Sequence, residues 1–170
     1  MILRHIYGIK LESAQILPTV SPPNSILVRS PDPTDRDSLI TLIRSAYTGT
    51  IDGENGQIVD HEMEIDNYLK GEYGEPLFHL SRVAVDVAER TVSAVLSTRW
   101  GRRRLPLIAF VMTEPGTQGK RVAGYLLRDV VNQMKTAGET EIHAVVTVGN
   151  LPSERLFEGS GFSIIETITE

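Results

Sequence analysis

Apolar positions along this chain recur with two different periods, and the points where the period changes divide it into elements. Residues 1–20 mix apolar and polar positions without a fixed period and run into Pro18, Ser21, Pro22, Pro23 and Asn24, which predicts an N-terminal extension over 1–23. A short apolar run at 26–28 predicts a strand, ended by the turn Pro31-Asp32-Pro33. Leu39, Leu42, Ile43 and Ala46 then form the stripe of an amphipathic helix that opens on Thr34 as N-cap, carries Asp37 at its third position and ends near Tyr47. Residues 48–60 hold Gly49, Gly53 and Gly56 among Asp52, Glu54 and Asn55, a loop composition. A weaker helix follows over 61–70, with Ile65 and Leu69 one turn apart and Gly71 as its stop, and a second polar loop runs to Pro76.

Beyond that loop, runs at 83–87, 92–97 and 105–111 predict three successive strands of a meander. The last is almost wholly apolar and is expected to be buried on both faces. Val122, Ala123, Leu126, Leu127, Val130 and Met134 restore a helical stripe, with Arg128, Asp129, Asn132 and Lys135 opposite it and Gly138 as terminator. Residues 142–148 form another apolar run, and a helix between two such strands is the crossover that joins parallel neighbours. Pro152 belongs to the first turn of a short helix over 153–159, closed by Gly159 and Gly161, and 162–169 alternates as a last strand. The main domain spans 24–170.

Composition narrows the function classes. The 170 residues carry 17 Lys plus Arg against 22 Asp plus Glu, a net charge of −5, and 41% are apolar, as in one ordinary globular domain. No run is long and apolar enough for a membrane span or a secretory leader, so no membrane association and a cytoplasmic location are expected. The absence of Cys excludes disulfides and any intermediate carried on a protein sulfur. His5, His61, His79 and His143 are scattered without ligand spacing, so no metal is expected. An acidic chain also argues against nucleic-acid binding, and Arg102-Arg103-Arg104 is read as a solvated hairpin tip.

The segment most informative about chemistry is Thr113-Glu114-Pro115-Gly116-Thr117-Gln118-Gly119-Lys120-Arg121-Val122-Ala123, a glycine-containing turn that opens the longest helix. Such a helix start offers unpaired N–H groups and the positive end of the macrodipole to a phosphate. It is not a P-loop, which would need Gly at Glu114 and Ser or Thr at Arg121, and G-x-G-x-x-G is absent.

This junction resembles that of the GNAT superfamily of acyl-CoA N-acyltransferases, whose fingerprint is Q/R-x-x-G-x-G/A; here it is Gln118-Gly119-Lys120-Arg121-Val122-Ala123, with Arg121 where the family has its first Gly. Thr113-x-Pro115 is similar to the step that ends the family's fourth strand, and Asn150-x-x-Ser153-x-x-Leu156-Phe157-x-x-x-Gly161-Phe162 to its N-x-x-A-x-x-L-Y-x-x-x-G-F signature. The resemblance implies an α/β (α+β) three-layer fold, a mixed, mainly antiparallel twisted sheet flanked by helices. It implies acetyl-CoA as acyl-donor substrate, with its diphosphate on the amides of Gln118, Gly119, Lys120, Arg121, Val122 and Ala123 and its charge met by Lys120 or Arg121. The pantetheine arm would pair with main-chain groups of Val111 and Thr113, and Asn150 would hold it from the neighbouring strand; Phe157 belongs to the same site. The physical match is independent of the family: an arm with two amides suits an unpaired strand edge, and a diphosphate suits a helix N-terminus.

Many members of the family carry a proton-donating Tyr where this chain has Phe157, and some a carboxylate where it has Leu107; neither replacement can donate or accept a proton. Replacements are sought among Glu62, Glu64, Tyr73, Glu75, His79 and Glu114, with His79 best suited by its ordinary pKa. Asp52, Glu54, Glu72 and Glu75 are expected to make the acceptor cleft negative and favour a small-molecule or peptide amine. Trp100 and Phe110 are assigned to the core. The leading expectation is acetyl transfer to a primary amine in a direct ternary complex; the alternatives are a CoA-binding regulator without turnover and a plain interaction domain. Residues 2–6 are expected to fill a sheet edge or contact a second subunit in a homodimer.

Overall fold

The chain opens on a strand where its pattern suggests only an extension. In the computed structural model, which describes residues 1–14, 21–23, 25–54, 60–101 and 103–170 apart from the side chain of Glu54, Leu3–Lys10 (β1) buries Ile6, Tyr7 and Ile9. It lies between two strands from the far end of the chain, inside the sheet and not at its edge. Both of its backbone edges are paired, and those partners, distant in sequence, supply the regularity that its own residues lack.

Leu27–Arg29 (β2) leads to a tight turn at Pro33–Asp35 and then to the helix Arg36–Tyr47 (α1). Thr34 does not cap α1: Asp35 stands at its N-cap with no side-chain capping bond, and Asp32 caps the preceding turn, accepting from the Thr34 amide at 2.7 Å while Asp35 accepts from the Asp32 amide at 2.9 Å. Both Asp35 oxygens also accept from Arg29, at 2.7 and 2.8 Å, and that pairing holds the carboxyl below its usual range. Ile51–Glu54 (α2) is one helical turn within the stretch expected to be loop. His61–Lys70 (α3) has the predicted bounds, with Asp60 accepting from the Met63 amide and Gly71 closing the helix at φ 82.

Glu75–Pro76 (β3), Arg82–Val85 (β4), Thr91–Trp100 (β5) and Leu105–Thr113 (β6) follow, then Val122–Thr136 (α4), Glu141–Thr147 (β7), Leu151–Gly159 (α5) and Ser163–Thr169 (β8). The sheet order is β2-β4-β5-β6-β7-β1-β8, with β3 beside β5, and only β6 and β7 run parallel. On one face α1 and α3 bring Leu39, Ile43, Ile65 and Tyr68 against Ala94, Leu96, Phe110 and Met112. On the other, α4 and α5 bring Leu126, Val130 and Phe157 against Val95, Ile108, Ile142 and Ala144. These three layers are the predicted fold class. Each fully buried Leu or Val of α4 contributes roughly 1.5–3 kcal/mol. Among the described residues no helix is long and apolar enough to cross a membrane.

Two irregularities of β6 create the site. Leu96 pairs with Phe110 but Ser97 pairs with Ile108, so Ala109 is an extra, bulged residue. A one-residue bulge inverts the facing of what lies beyond it, which is why Ile108 packs under α4 while Phe110 and Met112, of the same parity, pack under α1. The expectation of burial on both faces is corrected here: Leu107, Ala109 and Val111 are only half-buried, because they border an open cleft. The second irregularity is a splay. Parallel pairing with β7 is limited to Leu107 with His143 and Ile108 with Ala144, and beyond them the two strands part.

Candidate functional site

Past Ile108, β6 has no partner strand on its β7 side, and two clefts open there. The larger, about 1140 Å³, runs from the splay to the start of α4. Gly119 at φ 80 turns the chain, and Arg121 at φ 62 is the N-cap of α4. No side chain caps this helix, so the opening amides at Val122, Ala123 and Gly124, which line the cleft, stand at the positive end of its dipole.

Nine residues named from the sequence line this cleft together: Val111, Thr113, Asn150 and the six from Gln118 to Ala123. Phe157 does not. It is buried, stacked on Tyr7 at 5.9 Å and against Phe162 at 5.2 Å, and borders only the smaller cleft. Two cationic residues of its wall, Arg128 and Arg155, carry no site role in the sequence motifs. Arg128 follows Arg121 by seven residues, two turns along one helix face, which is a legible spacing; Arg155 comes from α5, and only the fold brings it there. Lys120, Arg121, Arg128 and Arg155 make no ion pair among the described residues, and no described acidic residue lines this cleft.

The smaller cleft, about 670 Å³, has the opposite charge, with Asp52, Glu64 and Glu72 on its wall and Arg4 as its cation. Arg4 is itself engaged, donating to Glu170 at 2.7 Å and to Thr147 at 3.3 Å. The turn α2 brings Asp52 to the hydroxyl of Thr147, which donates at 2.7 Å, and to the side-chain amide of Asn150, which donates at 2.9 Å. The Asn150 carbonyl oxygen accepts from the Ser153 amide at 3.4 Å, so this side chain caps α5 and holds Asp52 at once. Tyr73 borders the same cleft and donates to Glu64 at 2.8 Å; burial pushes its phenol up.

The two clefts meet at Tyr47, Val111, Asn150 and Ser153. Tyr47, which the sequence marks only as a helix end, donates to the Val111 carbonyl at 3.4 Å. Burial raises its phenol pKa, and the charges of Asp52 and Glu64 add to the effect.

His79, Glu75 and Glu114 line neither cleft. His79 is in the turn Phe78–Leu80, Glu75 pairs with Arg99 across β3 and β5, and Glu114 accepts from the Thr117 hydroxyl at 2.9 Å. Glu62 pairs with Arg36 at 2.7 Å. Leu107 borders the smaller cleft, as do Phe110, which is buried, and Trp100, which is half-buried under Arg103. Arg102 and the side chain of Glu54 lie outside the described residues. Among the described residues no group of three or more His, Asp or Glu could hold a metal ion.

A family model described as the acetyltransferase (GNAT) family matches residues 54–162. The chain is 28% identical over 103 residues to a mycothiol acetyltransferase of Brachybacterium faecium, a match covering 56% of this chain and 30% of that protein. It superposes on a GCN5-related N-acetyltransferase from Sphaerobacter thermophilus with TM-score 0.68 and 17% identity, over 98% of this chain and 49% of that one. It also superposes on a diaminobutyrate acetyltransferase from Paenibacillus lautus, solved with L-2,4-diaminobutyric acid and coenzyme A, with TM-score 0.60 and 20% identity over 79% and 73% of the two chains. The matched part thus spans under a third of the curated relative and about half of the Sphaerobacter chain.

Proposed function

The chain belongs to the GNAT acetyltransferase family, and from that premise we propose that it moves an acetyl group from acetyl-CoA to a primary amine in a direct ternary complex. The observation that carries this reading is the division of charge across the seam at Tyr47 and Val111: four cations without an ion pair among the described residues on one side, three carboxylates on the other. A chain of net charge −5 gathers these cations against the charge of its surface as a whole, and a cleft so lined draws in a polyanion.

The diphosphate binds the amides from Gln118 to Ala123 together with Lys120 and Arg121, and Arg128 and Arg155 meet its further phosphate charge. The arm adds as a strand to the free side of β6, through main-chain groups of Val111 and Thr113, with Asn150 at the facing end of β7. Its thioester reaches the seam, and the apolar ring of Phe157 lies beneath the smaller cleft. There Asp52, Glu64 and Glu72 attract a cationic amine, small molecule or peptide, and supply carboxylates to take its proton before attack. The diamino acid bound by the Paenibacillus relative supports an acceptor of this charge. With no Cys in the chain, transfer proceeds without a thiol-linked acyl-enzyme.

Calorimetric titration with acetyl-CoA tests the reading. Binding is expected, at least tenfold weaker in a protein carrying Arg128→Ala and Arg155→Ala and weaker for wild type as salt rises. Absence of binding would sink it. Binding without transfer to any member of a panel of primary amines would assign the chain instead to CoA-dependent regulation.

A further inference from the structure

The family's usual proton donor to the departing thiol is missing here, since Phe157 is an apolar ring packed between Tyr7 and Phe162. Resting on the acetyl-CoA reading above, we propose that Tyr47 is a catalytic residue, its phenol donating to the thioester sulfur at the seam and protonating it as the carbon–sulfur bond breaks.

Four residues border both clefts, and their chemistry selects among them. Val111 has an apolar side chain. The Asn150 amide is committed to Asp52 and to the first turn of α5. Of the two hydroxyls that remain, the phenol of Tyr47 is a far stronger acid than the alkyl hydroxyl of Ser153. The hydrogen bond that Tyr47 donates is also weak. Its bond to the Val111 carbonyl is 3.4 Å long, against about 2.7–2.8 Å for an ordinary O–H···O bond. That carbonyl belongs to the strand edge on which the pantetheine arm adds. Once an amide of the arm takes it, the phenol loses its acceptor just where the sulfur arrives.

The charged groups of the neighbouring wall act consistently. Burial, and after it the charges of Asp52 on α2 and Glu64 on α3, raise the phenol's pKa, so that it stays in its donating, protonated form above its ordinary range as well as at neutral pH. Glu72 and Arg4 complete the charges of that cleft. In the step itself the amine nitrogen bonds to the carbonyl carbon, the carbon–sulfur bond breaks, and its electron pair leaves with sulfur. Sulfur takes the phenolic proton, the phenolate recovers the proton that the nitrogen loses after attack, and the carboxylate that took the ammonium's proton before attack releases it to water, giving an amide, CoA thiol and unchanged enzyme.

A phenol that donates to sulfur stabilises the thiolate, so the thiol of bound CoA reports the contact without turnover. The ultraviolet absorbance of the thiolate, followed against pH in complexes of CoA with wild type and with Tyr47→Phe, gives the thiol pKa. We expect the variant's thiol to ionise about one unit higher, equivalent to tenfold less thiolate at a given pH. We also expect its CoA dissociation constant to stay within threefold and kcat for acetyl transfer to fall at least tenfold. Replacing residue 47 by 3-fluorotyrosine keeps the packing and sharpens the donor, so the thiol pKa should drop below that of wild type. An unchanged thiol pKa in Tyr47→Phe with CoA bound, or a shift in Ser153→Ala in its place, would overturn the assignment of Tyr47 alone. Failure of wild type to bind CoA would overturn the acetyl-CoA reading as well.

Discussion

Arg121 carries a left-handed φ of 62 at the start of α4, where the family fingerprint has glycine. A side chain in that region costs about 1–2 kcal/mol. Glycine would relieve this but return about 0.4–1 kcal/mol of entropy to the unfolded chain. Arg121→Gly is therefore expected to stabilise the fold by up to about 1 kcal/mol, a rise of roughly 2–4 °C in Tm. Because it also removes one of the larger cleft's four cations, it should weaken acetyl-CoA binding at low salt and matter less at high salt. Thermal denaturation with and without acetyl-CoA checks both, and a lower Tm for the free variant would show that the guanidinium makes a contact outweighing the strain. The exchange of Gly for Arg is visible in the sequence. That the backbone keeps the glycine conformation is visible only in the structure.

At the scale of elements, the smaller cleft depends on one close approach. Gly74, at φ 108, passes so near β5 that an added Cβ would lie 1.9 Å from the carbonyl oxygen of Arg99. The two-residue strand β3, pairing Glu75 with Arg99 and Pro76 with Thr98, holds this approach and with it Glu72 and Tyr73 on the cleft wall. Gly74→Ala is expected to push β3 off β5 at a cost of about 2–4 kcal/mol, read from urea unfolding. The amine KM should rise while the acetyl-CoA dissociation constant holds. An undisturbed urea midpoint would mean that β3 yields without loss. The helices on either side of the sheet follow from their stripes, and α3 to the residue with its stop at Gly71, whereas the bulge at Ala109 leaves no mark in a run of apolar residues that could face either way.

For the whole molecule, four phenols tie stability to pH. Burial, the Glu158 bond and nearby charge push Tyr7 up to about 12, burial pushes Tyr68 up to about 12, and Tyr47 and Tyr73 are raised as well. In the unfolded chain each ionises near its ordinary value of about 10. Below that pH both states bind the proton and the stability is fully present. Above it the unfolded chain ionises first, and stability falls until the native phenols ionise. Each phenol contributes a slope of about 1.4 kcal/mol per pH unit in that window. Urea midpoints should therefore drop steeply between pH 10 and 12, and less steeply in Tyr68→Phe; equal slopes in the two proteins would count against the burial account.

What the sequence determined by itself was local: the stripes of α1, α3 and α4 and the strand-turn-helix at Gln118, because period and helix stops act between near neighbours, while the likeness of three short strings to a known family named the nine residues that line one cleft. Tertiary structure decided what depends on distant partners. It drew β1 into the sheet between β7 and β8, brought Arg155 to the cleft that Arg128 lines, and set Tyr47 and Asp52 at the mouth of the splay. Hydrogen-bonding edges and electrostatic fields join groups that are close in space, and spacing along the chain does not encode that closeness.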